Sequence, residues 1–147
     1  MANNITAFTM TFPAIANKLI SPASIIGNND EMKTNRAQWD TGATSTCISQ
    51  AVIDRLDLKP ISQTMIQTPS GNRVMTVYLI DVKLPNNLLV KDVQAIGSEI
   101  GSQGIDMLIG MDIIGLGDFS VSNYAGSTKF SFRFPSQAHA DFVPKKT

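Results

Sequence analysis

Trp39-Asp40-Thr41-Gly42-Ala43-Thr44-Ser45 sets a carboxylate, a hydroxyl, a glycine and an alanine in immediate succession. Gly42 permits backbone angles that other residues reach only at a cost, so the chain is read as turning sharply here with Asp40 held rigidly at the turn. Gln38-Trp39 reads as the end of the strand that leads in, and Trp39 brings a large apolar body to bury beside it. The Thr41 hydroxyl both donates and accepts hydrogen bonds at the base of the turn.

Two further segments are read together with this one. Met107-Leu108-Ile109-Gly110-Met111-Asp112-Ile113-Ile114 is an apolar strand ended by a glycine, with a short helix after it. Between the two lies Thr68-Pro69-Ser70-Gly71-Asn72, a turn signal flanked by strand-like runs. In this order the three segments resemble the active-site loop, the apolar-apolar-Gly-x-Asp-apolar-apolar segment and the flap of the retropepsin-like aspartic peptidases, across roughly residues 33–134. The resemblance implies an all-β fold, a closed barrel-like subunit with a flap hairpin and one or two short helices. Viral members carry an acidic residue after Asp-Thr-Gly-Ala and an Arg after the second-segment Gly, which form an ion pair. Thr44 and Met111 stand at those places here. Both partners are gone together, so no charge is left buried alone, and the chain reads as a divergent member.

With 147 residues the chain has room for one core and not for two sizeable lobes. The domain is expected over residues 1–134, with 135–147, containing two prolines and three charges, as a mobile tail. Lys+Arg and Asp+Glu number 12 each, which gives no basic footprint for nucleic acid. Cys47 is the only cysteine, so no intrachain disulfide framework exists. No apolar run approaches the roughly 18 residues of a membrane helix, and Met1-Ala2-Asn3-Asn4 lacks the basic start of a signal peptide. The expected setting is the cytoplasm, after release from a larger polyprotein if the chain is made as part of one.

Along the chain, Ile5–Phe12 alternates as a first strand stopped at Pro13. Lys18–Ile20 and Ser24–Ile26 read as short strands broken by Pro22, before a turn at Gly27-Asn28-Asn29-Asp30. Ile48, Val52 and Leu56 at four-residue spacing predict a short helix capped by Ser49. Strands are expected over Ile61–Gln67 and Arg73–Leu84, with Val74–Tyr78 apolar on both faces and therefore buried from two sides or set against a ligand. Further strands are expected over Leu88–Ile96 and Ile105–Ile109, separated by a glycine-rich loop. The helix after Gly110 is expected to end at Gly117. Asp118–Val121 and Lys129–Phe134 predict a closing hairpin, with Phe130, Phe132 and Phe134 on one apolar face.

The resemblance also implies the chemistry. One Asp-Thr-Gly per chain requires a second copy, so a homodimer with the site on its two-fold axis is implied. Two Asp40 carboxylates would hold one proton between them and activate water against a peptide or protein substrate, with no metal and no cofactor. Thr41 and Gly42 complete the catalytic loop in this reading. Ala43, Thr44 and Ile109, with Ser70, Gly71 and Asn72 of the flap, would bind an extended peptide, and neither nucleic acid nor membrane is a partner. Asp112 reads as a helix-start carboxylate, Cys47 as core packing and His139 as a solvated tail residue. The rival function is a dimerising or peptide-binding module of the same fold with little or no cleavage. Phosphate-binding turns of sugar-kinase-like ATPases also contain Asp-x-Gly-x-Thr strings, but that fold needs a far longer chain.

Overall fold

The computed structural model describes residues 4–146. Ten strands are separated by two short helices and two 3-10 turns. Strands β2 (Ile20–Gly27), β3 (Asp30–Trp39), β4 (Cys47–Ile48), β5 (Ser62–Thr68), β6 (Gly71–Lys83), β7 (Leu89–Gly97) and β8 (Met107–Ile109) form a seven-stranded sheet in the order β2-β3-β8-β4-β7-β6-β5. Pairing of β2 with β6, from Ser24 opposite Lys83 to Ile26 opposite Asp81, curls this sheet closed. Strands β1 (Thr6–Thr11), β9 (Asp118–Ser122) and β10 (Lys129–Phe134) form a separate sheet in which β10 lies between the other two. The all-β architecture with a long hairpin is the one the resemblance implies. No helix among the described residues is long and apolar enough to cross a membrane.

Local sequence explains most of the elements. Asn28 and Asn29 both take positive φ, 50° and 59°, and close the β2–β3 hairpin between Gly27 and Asp30; asparagine tolerates that region, and two such residues match the twist of the strands they join. Helix α1 (Gln50–Arg55) begins at Ser49, whose hydroxyl accepts from the amide of Val52 at 3.4 Å. Its buried residues Val52 and Ile53, with Ile48 and Leu56, join the barrel interior, where Ile25, Ile80, Val82, Met107, Ile109 and Ile113 also lie.

The second sheet packs its apolar face on Trp39. That ring, 3% exposed, stacks on Phe119 at 5.5 Å with an interplanar angle of 4° and meets Phe132 at 5.2 Å. Its indole N–H donates to the Ser21 hydroxyl at 2.8 Å, so the polar handle of a buried ring is satisfied. Asp106, 4% exposed, ties β3 to β8: it accepts from Arg36 Nη2 at 2.8 Å, Arg36 Nε at 3.2 Å and the Thr34 hydroxyl at 2.6 Å. A forked ion pair with its remaining lone pair used is the form in which a buried carboxylate is tolerated.

Several expectations are corrected. Pro22 does not break the strand; β2 runs through it, and the register with β3 shifts between Ser21 and Ala23, the bulge at which a proline fits a sheet. The β5–β6 hairpin pairs Thr68 with Gly71, which narrows its loop to Pro69-Ser70. Val74 is exposed while Val77 and Tyr78 are buried, so only the far half of that apolar run is covered. Helix α2 (Met111–Ile114) is capped at Gly115 rather than ended by Gly117. Gly117 serves another purpose, since a Cβ there would collide with the carbonyl of Arg133.

Residues 135–146 contain no helix or strand, yet their start is anchored. The Asp118 carboxylate accepts from the amide of Gln137 at 2.8 Å, from Arg133 Nε at 2.7 Å and from the Ser136 hydroxyl. Hydrogen bonds from Gln137, Ser136 and Arg133, in that order, hold this carboxyl well below the usual range. Its folded value is depressed, so the anchor is present above the ordinary carboxylate pKa and is lost only as pH falls through that lower value.

Candidate active site

Asp40 follows β3 directly, half-buried at the point where the strand leaves the sheet. Its backbone amide donates to the carbonyl of Ile109 at 2.9 Å, and its own carbonyl accepts from the amide of Ala43 at 3.2 Å. The Gly42 amide donates to Asp40 Oδ1 at 2.8 Å. The carboxylate is therefore oriented by its own turn, and a Cβ on residue 42 would come within 3.1 Å of that oxygen. Thr41 and Gly42 are exposed.

The Gly110 segment clamps this loop from below. Met111 and Asp112 donate their amides to the carbonyls of Ala43 at 2.8 Å and Thr44 at 3.2 Å. A Cβ on Gly110 would stand 2.8 Å from Ala43 O and from Ser45 C and O; only a glycine lets the two backbones meet. The Asp112 carboxylate then reaches across: Thr46 donates its amide to Oδ2 at 3.0 Å and its hydroxyl to Oδ1 at 2.8 Å. Thr46 is fully buried and its hydroxyl oxygen accepts from the Gly110 amide at 3.3 Å. Asp112 does lie in the first turn of α2, where Oδ1 also accepts from Ile113 N, but its larger task is to hold the Asp40 loop. Thr46 has no counterpart in the sequence reading, because a bond across 66 residues leaves no local signal.

Asp112→Ala is expected to leave the Thr46 amide and the Thr46 hydroxyl proton without an acceptor inside the fold, at a cost of about 1–3 kcal/mol. Urea denaturation measures it, and a wild-type midpoint in that variant would remove the lock from the account.

The remaining predicted site residues divide. Ala43 and Thr44 lie in the Asp40 loop. Ile109 is fully buried, so it serves the loop through its carbonyl and offers no side-chain surface to a ligand. Ser70, Gly71 and Asn72 sit exposed at the end of the β5–β6 hairpin, where the Thr68 hydroxyl contacts Ser70 Oγ at 3.1 Å and donates to Gly71 O at 2.7 Å. Among the described residues no hydrogen bond joins this tip to the Asp40 loop. Cys47 is half-buried with its thiol 3.6 Å from the Ser45 carbonyl. Burial pushes that thiol up, and the Asp112 and Asp40 carboxylates add to the effect, so it remains a protonated packing group. Thr41 borders a cavity of about 640 Å³ with Met111, Ile114, Phe119 and Ser120. His139 is exposed, as expected, and lies on the rim of the same cavity.

The family model of the gag-polyprotein putative aspartyl proteases matches residues 28–115, a span that holds both the Asp40 loop and the Gly110 segment. The Pro-Pol polyprotein of Simian foamy virus type 1 is 33% identical over 60 residues, 41% of this chain and only 5% of that polyprotein. A retropepsin-like aspartic protease from Rickettsia conorii superposes with a TM-score of 0.53 at 14% identity, covering 90% of this chain and 98% of the other; at that identity the likeness shows the shared fold. The Simian foamy virus (mac) protease gives 0.47 at 23% identity over 66% of this chain and 92% of its own.

Proposed function

The chain belongs to the gag-polyprotein putative aspartyl protease family, and on that premise we propose that it is an aspartic endopeptidase working as a homodimer. The observation that carries the reading is the Asp40 carboxylate, fixed through Oδ1 by Gly42 N at 2.8 Å on an exposed loop whose underside is clamped by the Gly110 segment. A rigid, half-buried carboxylate beside solvent-facing Thr41 and Gly42 is suited to meet its own image. The chain contains one Asp-Thr-Gly, so the second carboxylate comes from a second copy about a two-fold axis.

Two such carboxylates in contact cannot both ionise cheaply and hold one proton between them, with pKa values that belong to the pair. The ionised member takes a proton from a bound water, whose oxygen attacks the peptide carbonyl carbon. The protonated member gives its proton toward the carbonyl oxygen, producing a tetrahedral diol. Collapse of the diol breaks the C–N bond: the departing nitrogen takes a proton from the dyad while a diol hydroxyl gives one back as the carboxyl product forms, so the dyad again holds a single proton. Gly42, with Ser70, Gly71 and Asn72 on the hairpin as a flap, would hold the substrate extended through main-chain hydrogen bonds. Release from a longer precursor belongs to the same reading, since the curated relative is a polyprotein.

Thr41 is assigned a cross-subunit role. It is exposed, and among the described residues its hydroxyl takes no hydrogen-bond partner, which suits a bond to the Thr41 loop of the second copy. Thr41→Ala is then expected to raise the dimer dissociation constant about tenfold, ~1.4 kcal/mol, by sedimentation equilibrium. An unchanged constant would remove Thr41 from the interface. A dimerising or peptide-binding module would instead form dimers and show no cleavage that depends on Asp40.

A further inference from the structure

The segment after β10 has no helix or strand of its own, and one carboxylate holds it in place. Asp118 accepts from the Gln137 amide at 2.8 Å, from the Ser136 hydroxyl and, at a longer 3.5 Å, from the Ala138 amide. The Gln137 side chain folds back and donates through Nε2 to the carbonyls of Pro135 at 3.0 Å and Ser136 at 3.2 Å, which braces the turn that presents the two amides. Consecutive amides aimed at one charged oxygen form a compact clip.

The clip sets the residues that follow beside the catalytic loop. Ala138, His139 and Ala140 line the cavity of about 640 Å³ together with Thr41 and Met111. Thr41 is exposed, and a second copy that brings its own Asp40 to this one has to arrive over it, so the tail stands on the face of approach. Beyond the cavity come Phe142 and Val143, 88% and 73% exposed, and then Lys145 and Lys146, which outnumber Asp141. A two-fold axis at Thr41 sets two such tails against each other, bringing like charges and bulky exposed side chains together. Among the described residues, those after Ala138 make no hydrogen bond to the rest of the fold, so the segment is free to open once its clip is broken.

We infer that residues 136–140 are an autoinhibitory clasp: clipped through Asp118, the tail covers the Thr41 face of its own chain and keeps a second copy off until it swings clear. Resting on the homodimer reading above, the clasp sets how readily the two copies meet. Both chains must be open before they join, so the apparent dissociation constant scales with the inverse square of the open fraction. A tail clipped in about two-thirds of the chains then raises that constant about tenfold.

The clasp is tested in the full chain carrying Asp40→Asn, which keeps the tail from being cut. Ser136→Ala with Gln137→Pro removes the hydroxyl and the amide that hold the Asp118 carboxylate and leaves it paired with Arg133. By sedimentation equilibrium this unclasped chain is expected to dimerise about tenfold more tightly than its parent, with an unaltered circular dichroism spectrum. A nitroxide on His139→Cys, with Cys47→Ser, is expected to broaden the Thr41 and Met111 amide resonances of the clasped monomer and to leave those of the unclasped monomer sharp. Sharp Thr41 and Met111 signals in the clasped monomer overturn the clasp, as does an unclasped chain that dimerises no more tightly than its parent; dimers seen in either case leave the homodimer reading standing. Chains monomeric at every concentration, clasped and unclasped alike, overturn both.

Discussion

Asp40→Asn is expected to lower kcat/KM for peptide cleavage at least about 10³-fold, ~4 kcal/mol of transition-state stabilisation, with the fold and the dimer unchanged. The asparagine Oδ1 still accepts from the Gly42 amide, which holds the aspartate at 2.8 Å, so the turn keeps its shape. What disappears is the ionised oxygen that takes a proton from water and the acid that passes one on. A variant that cleaves at the wild-type rate would place the chemistry elsewhere. A variant that unfolds would show Asp40 to be structural first, and its melting curve separates that outcome from a loss of chemistry.

The second large effect is expected at Gly110. Its φ of −97° and ψ of −172° are open to any residue, so the argument is one of space. The added methyl of Gly110→Ala would stand 2.8 Å from Ala43 O and from Ser45 C and O, backbone atoms that cannot swing aside as a side chain does. Overpacking of this kind costs about 1–3 kcal/mol, and relief by lifting the Asp40 loop would move the carboxylate and take activity with it. Gly101→Ala is the control, since its Cβ meets only Ser49 Cβ at an ordinary 3.6 Å, with an expected change within about 0.5 kcal/mol. Urea denaturation and kcat/KM on both variants measure the contrast; equal behaviour would show that Gly110 is not held by close approach.

The features legible in the sequence are those made by neighbours along the chain. The turn at Asn28-Asn29, the Ser49 cap, the alternation of Ile80 and Val82 and the glycine after Ile109 each depend on residues a few positions apart. What was not legible depends on distant partners. The two-residue strand Cys47–Ile48 exists because β7 and β8 flank it, and no period can be read from two residues. Pro22 is accommodated by a bulge that only the register with β3 creates. The Thr46–Asp112 lock and the Asp118 anchor join residues far apart in sequence, so Asp112 reads locally as a helix-start carboxylate and residues 135–147 as a free tail. Separation of β1, β9 and β10 into a sheet of their own likewise follows from packing on Trp39, although the phenylalanine stripe of β10 was plain in the sequence.

Specific activity measured against protein concentration, alongside the dimer fraction from sedimentation equilibrium, tests the shared-carboxylate reading most directly. The account predicts that activity per chain falls on dilution in step with the dimer fraction and vanishes where the chain is monomeric. Activity per chain that stays constant into the monomeric range would contradict it, because a single Asp40 would then be doing the work assigned to two.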